Sequence, residues 1–144
     1  MNVFIVGSPL ETAMELDRVR LNKQIVECTQ MLNALNGETK AWRNHPCTLQ
    51  YEKHKEWLME YQECLRAVYK REFPKAIAHS DLADDLRPEF HTEEFFNQMK
   101  RRLYTKDPSH YAQWAHLGTS EVNWYFVNDE WRYYRNGKQV KESV

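Results

Sequence analysis

Arg20, Lys23 and Glu27 lie three and four residues apart in the stretch LDRVRLNKQIVECTQMLNAL, residues 16 to 35. On a helix such spacing gathers side chains onto one face. A carboxylate held among cations can stabilise developing positive charge, move protons, or sit beside a site that takes an anionic substrate. The same three residues could equally form a solvated strip with a Lys23–Glu27 pair, which adds only about 0.2–0.5 kcal/mol to an exposed helix. Spacing alone leaves both readings open. A second group is WRNHPCT, residues 42 to 48, where Arg43, Asn44 and His45 precede a proline. There Asn44 is a plausible helix cap, and His45 a candidate acid or phosphate contact. The segments MKRRLYTKDPSHY and EWRYYRNGK interleave cations with aromatic rings. Cations meet phosphates, and flat rings stack on unpaired bases. Lys100, Arg101, Arg102, Lys106, His110, Arg132 and Arg135 are the residues these segments would offer.

Other chemistries have weaker signatures. His45, Cys47, His54 and Cys64 match no standard zinc spacing, so no metal is expected. The four glycines are scattered and form no phosphate loop, and no nucleophile-elbow serine is present. Cys28, Cys47 and Cys64 are odd in number and irregularly spaced, which disfavours a disulfide scaffold and suits a reducing cytoplasm. No apolar run reaches the roughly 20 residues of a membrane span. The opening MNVFIVG lacks a basic region before its apolar residues, so no signal peptide is read.

These groups need a scaffold. The 144 residues suggest one domain with a real core, and 13 % aromatic residues disfavour disorder. The expected fold is mainly α: a compact helical domain over residues 1–144, with an aromatic-basic hairpin or arm at 122–144. Pro9, Pro46, Pro74, Pro88 and Pro108 separate the periodic segments. Leu21, Ile25, Cys28, Leu32 and Leu35 predict a helix over about 10–35, stopped by Asn36-Gly37. Trp57, Leu58, Tyr61, Leu65 and Val68 predict a second over about 48–72. The acidic stretch 75–90 reads as loop or short helix. Thr92 caps a third helix that turns Phe95, Phe96, Met99 and Leu103 inward, and Asp107-Pro108 opens a short fourth through about Leu117. The tail is rich in β-favouring residues, with turn signals at Asn128-Asp129 and Asn136-Gly137. Net charge is −1, but basic residues cluster at 100–106 and after Glu130, and acids at 81–94. Folding can therefore put a basic cleft on one side.

The order LDRVRLNKQIVE, WRNHPCT, FHTEEFFNQMKRRLYTKDPSHY resembles the pyrimidine-dimer DNA glycosylase / endonuclease V family, in its broader phage and bacterial branch. The likeness runs through about Tyr111. It implies a cytoplasmic DNA repair enzyme of a bacterial or phage-infected cell, acting on double-stranded DNA with a damaged or modified base. It implies catalysis without cofactor by Glu27, on the first long helix, and by the α-amine of residue one, here Met1. Lys23 is the fallback nucleophile. An α-amine titrates near 8 and a lysine near 10.4, so more of the former is unprotonated at neutral pH. Attack on C1′ would expel the base and leave a Schiff base, the route of a combined glycosylase and abasic-site lyase. Arg20 stands where the characterised enzymes have another cation. With Arg43, Asn44, His45 and the basic residues above, it would make the DNA contacts. Two departures are plain: Val26 and Gln30 occupy positions that are arginine in those enzymes. The competing expectation is a non-catalytic DNA- or protein-binding module on the same scaffold, perhaps a phage factor acting on a host process.

Overall fold

The structure, a computed structural model, describes residues 1–143. Among them are six α-helices, a 3₁₀ turn and a three-stranded antiparallel sheet. The helical core with a C-terminal β tail is the architecture expected from the sequence.

Helix α1 (Pro9–Glu15) starts in a reciprocal cap. Ser8 Oγ accepts the Glu11 N–H at 3.1 Å, and Glu11 Oε1 accepts the Ser8 N–H at 3.4 Å. The helix expected over 10–35 is in fact two. The chain is extended at Leu16 and Asp17, and α2 (Arg18–Leu35) begins there with Asp17 as its cap. The reason is a partner far along the chain. Tyr111 Oη accepts the Asp17 N–H at 3.1 Å and donates to Asp17 Oδ1 at 2.5 Å. Asp17 also accepts the Arg20 N–H at 3.3 Å.

The second expected helix also divides, into α3 (Pro46–Gln50) and α4 (Lys55–Tyr69). Asn44 is not the cap of α3; His45 is, its Nδ1 accepting the Cys47 N–H at 3.0 Å. The turn between the two helices lets Tyr51 stack on Trp57, with ring centroids 5.2 Å apart, and Trp57 stacks on Tyr61 at 4.9 Å. This aromatic column is fully buried. Of the loop and the short helix that the acidic stretch 75–90 allowed, the helix forms: most of the stretch lies in the 13-residue α5 (Phe73–Asp85). Its inner face is Ala76, Ser80 and Ala83, small residues that admit close packing.

Thr92 caps α6 (Glu93–Lys106), accepting the Phe95 N–H at 3.3 Å. A 3₁₀ turn (Ala112–Leu117) follows, where a fourth helix was expected, and ends at Gly118 with φ +84°. The tail is a meander of β1 (Val122–Val127), β2 (Glu130–Arg135) and β3 (Lys138–Val140) in that order. Both connections are two-residue turns. Asn128-Asp129 and Asn136-Gly137 have positive φ throughout, as the tight hairpin turn requires. Val122, Tyr125 and Val127 of β1 are buried against the helices.

The extended segment Val3–Val6 threads the middle of this core, each of its four residues buried. Its backbone cannot pair with a sheet, so side chains satisfy it. Gln24 Oε1 accepts the Phe4 N–H at 2.6 Å and Gln24 Nε2 donates to the Asn2 carbonyl at 2.8 Å. Tyr61 Oη donates to the Phe4 carbonyl at 2.5 Å, and Thr12 Oγ1 accepts the Val6 N–H at 3.0 Å. Tyr125 Oη donates to the Met1 carbonyl at 2.6 Å.

Candidate active-site cleft

The clamped segment delivers residue one to a cleft of about 220 Å³. Met1, Asn2 and Phe4 line one wall; Val19, Arg20, Lys23, Gln24 and Glu27 of α2 form another; Lys106 closes it from the end of α6. The polar face of α2 is thus the wall of a concave site. Burial pushes the Glu27 carboxyl above its ordinary range, while the Met1 α-ammonium, Lys23 and Lys106 pull the other way. The amine and the carboxylate are therefore within electrostatic reach of each other. Burial holds Lys106 below the usual lysine range, helped by Arg102, Arg20 and Lys23. A cleft with three cations round one carboxylate suits a phosphate-bearing ligand better than a neutral one.

Arg20 is partly engaged, on Asp17 at 3.1 Å and near Asp107 at 3.9 Å. His45 lies within electrostatic reach of the amine, its ring edge-on to Tyr125 at 5.8 Å between centroids. Burial and the α-ammonium hold it below its ordinary pKa, so it stays neutral near pH 7. With Nδ1 accepting from Cys47, its proton sits on Nε2. Cys47 offers no reactive thiolate. Burial pushes its thiol up to about 12, with Glu27 raising it further against the pull of the amine.

The basic segment 100–106 does not act as one patch. Lys106 enters the cleft. Arg102 is buried, donating to the Ser120 carbonyl at 2.8 Å and Asn123 Oδ1 at 3.0 Å, so it cannot serve as a surface phosphate contact. Arg101 donates to the Leu117 carbonyl at 3.0 Å, and Lys100 lies 5.8 Å from the Trp114 ring centroid. His110 donates to the Glu15 carbonyl at 3.1 Å and helps dock the KDPSHY segment on the end of α1. Arg43 pairs with Glu52 at 2.7 Å, Arg132 lies 3.3 Å from Glu130, and Asn44 and Arg135 are exposed away from the cleft walls.

Sequence reasoning missed the residues that hold the amine. Gln24 carried a signal: it is a polar residue on the apolar stripe of α2, three after Leu21 and four before Cys28. Asn2 also contributes, its Nδ2 donating to Asn123 Oδ1 at 2.8 Å. Because Arg102 can only donate, it fixes Asn123 Oδ1 as an acceptor and so orients Asn2. Tyr61, Asn123 and Tyr125 gave no local sign of this role. Among the described residues, no three His, Cys, Asp or Glu side chains cluster as metal ligands, and no helix is long and apolar enough to cross a membrane. All three cysteines are buried free thiols.

A small helical domain thus buries its own first residues and brings an amine, a carboxylate and lysines into one cleft. The chain belongs to the pyrimidine dimer DNA glycosylase family, whose model matches residues 1–75. That assigns it a DNA glycosylase type of function, with DNA as substrate. The match contains Met1, Glu27 and the WRNHP segment and stops before Lys106 and Tyr111. Neither a curated protein nor a solved structure matches it significantly.

Proposed function

We propose that this protein excises a damaged or modified base from double-stranded DNA and then cuts the strand as an abasic-site lyase. The observation that carries the reading is the shared cleft of the residue-one amine and Glu27, with the amine's backbone clamped by Gln24, Tyr61 and Tyr125. A flexible terminus would have to be ordered for each attack, whereas a seated one is already placed.

The chemistry runs as follows. The unprotonated amine of Met1 attacks C1′ of the everted nucleotide, and the C1′–N bond breaks as the base leaves with a proton. The C1′–O4′ bond opens, O4′ takes a proton, and the nitrogen lone pair forms the iminium. Loss of a C2′ proton then drives elimination: the C3′–O3′ bond breaks and the 3′ phosphate departs. Water hydrolyses the iminium and restores the amine. Glu27 stabilises the cationic sugar and relays protons to O4′ and from C2′. Burial raises its pKa, so it holds a proton more readily than an exposed glutamate does. Lys23, Lys106 and Arg20 hold the flanking phosphates.

Borohydride trapping on abasic-site DNA tests this. Wild-type protein should form a covalent adduct, an uncleaved N-terminal tag should abolish it while sparing most DNA affinity, and Lys23→Ala should keep it. Trapping by the tagged protein but not by Lys23→Ala would move the nucleophile to Lys23. A second reading is a non-catalytic DNA- or protein-binding module. It is favoured by exposed apolar side chains on α2: Val19, on the cleft wall, is 77 % exposed and Val26 49 %. No adduct from wild-type protein under sensitive conditions would select it.

A further inference from the structure

The turn that leads into α3 holds an aromatic ring the mechanism above does not use. Trp42 is 42 % exposed, and its backbone sits at φ +67°. Bulky side chains rarely adopt that region, and such strain concentrates where a side chain must be aimed. The turn is well held. The His45 N–H donates to the Trp42 carbonyl at 3.1 Å, and the Arg43 N–H to the Lys40 carbonyl at 3.3 Å. The Ala41 N–H donates to Thr39 Oγ1 at 3.1 Å. The indole leans on His45 at 5.5 Å between ring centroids, tilted by 58°. His45 in turn meets Tyr125 edge-on at 5.8 Å, and Tyr125 holds the Met1 carbonyl at 2.6 Å. The exposed indole is thus linked by two ring contacts and one hydrogen bond to the residue that bears the amine. A tryptophan that is nearly half in water and in a strained conformation adds little to the core.

We propose that Trp42 stacks on an unpaired base of the duplex at the gap opened by the everted nucleotide. This rests on the reading of Met1 and Glu27 as the reacting pair. Eversion leaves a hole in the base stack and an unpaired partner. A flat, exposed ring linked through His45 and Tyr125 to Met1 can stack there whatever the base, because every base has a π face. Trp42 would then hold the strand open while the amine reacts, and would favour sites whose bases are already poorly stacked.

The probe is a duplex with one reduced tetrahydrofuran abasic site, which an amine cannot attack, beside the matching intact duplex. Wild-type tryptophan emission should be quenched on binding the abasic duplex. In Trp42→Phe the quench should vanish while Kd stays within about threefold. In Trp42→Ala, with the fold checked by circular dichroism, Kd for the abasic duplex should rise about 5- to 150-fold, the range of a lost base–aromatic stack. Binding to the intact duplex should change by less than about threefold. The inference is overturned by any one of four results: wild type shows no quench; Trp42→Phe keeps the quench or binds as weakly as Trp42→Ala; Trp42→Ala binds normally; or it weakens both duplexes equally. Wild-type borohydride trapping on a natural abasic site is scored separately. Its absence would remove the amine reading, while the titration still decides the stacking.

Discussion

Replacing Gln24 with leucine asks what seats the first residues. The side chain is 1 % exposed and makes two bonds to the backbone of the N-terminal segment, with Phe4 N–H and the Asn2 carbonyl. Leucine nearly conserves volume but can make neither bond. Each orphaned buried group costs about 1–3 kcal/mol, so the pair costs about 2–6 kcal/mol. The segment could avoid that cost by peeling into water. Peeling would expose Val3, Phe4, Ile5 and Val6, each 7 % exposed or less. At about 1.5–3 kcal/mol per side chain, the four together cost about 6–12 kcal/mol. Peeling therefore loses, and the segment should stay seated while the whole fold weakens. Against a total stability of about 5–15 kcal/mol, the loss is large. With an m-value of about 1–3 kcal/mol/M, the urea midpoint should fall by roughly 1 M or more. Borohydride trapping in native buffer should persist, reduced by less than about tenfold. An unchanged midpoint would show that these bonds do not hold the fold. A normal midpoint with trapping abolished would show that the segment peels, and that the comparison of burial with hydrogen bonding has the wrong sign.

Glu27→Gln should abolish strand cleavage yet leave the protein at least as stable at pH 7. Because burial raises the folded carboxyl's pKa, its ionised form destabilises the fold; wild type should regain stability relative to the variant as pH falls through that raised pKa towards about 4.5, seen as converging melting temperatures. His91, buried among aromatic rings with Nε2 2.8 Å from Tyr51 Oη, is held well below its ordinary 6.5 by burial, Arg87 and His54. Its unfolded state takes the proton first, so stability should drop as pH falls below about 6.5. Urea midpoints at pH 7.5 and 5.5 should differ in wild type and differ less in His91→Gln. Removing Lys23 and Lys106 together should flatten the salt dependence of DNA binding by up to about two in log–log slope, each contact giving about 0.9. Arg102→Ala should instead cost about 2–4 kcal/mol of stability in urea titration, since it strips donors from the Ser120 carbonyl and Asn123.

What the sequence disclosed follows from how local each signal is. The apolar stripe of α2 and the inner face of α4 are periodic, so they could be read directly, as could both turns of the tail. The break at Leu16–Asp17 was hidden because residues 16 to 20 also continue a helical pattern; what ends α1 there is Tyr111, 94 positions away. Helix α5 stayed open between loop and short helix because Ala76, Ser80 and Ala83 make an inner face without making an apolar stripe. His45 replaces Asn44 as cap because a ring nitrogen reaches the Cys47 N–H, which residue preference alone does not favour. In the cleft, spacing put Arg20, Lys23 and Glu27 on one face, but only folding shows that this face is concave. The basic run at 100–106 misled for the opposite reason. Adjacent residues on a helix point in different directions, so one run feeds the cleft, the core and the surface at once.

That separation bears on how the site is built. The family match ends at residue 75, with the amine, the carboxylate and two of the cations inside it. The remaining half nonetheless completes the cleft. Lys106 supplies its third cation, and Tyr125 holds the Met1 carbonyl. Tyr111 fixes Asp17, which in turn orients Arg20. The motif KDPSHY thus has a physical reason to accompany LDRVRLNKQIVE: its lysine enters the site, and its tyrosine sets where the helix bearing Glu27 begins. The same geometry reconciles a net charge of −1 with an anionic substrate. Arg20, Lys23 and Lys106 converge on one concavity. Asp81, Asp84 and Asp85 lie on α5, which packs against α1 and α4 and contributes nothing to the cleft. A field set by such local convergence can guide a phosphate backbone where a whole-molecule charge could not.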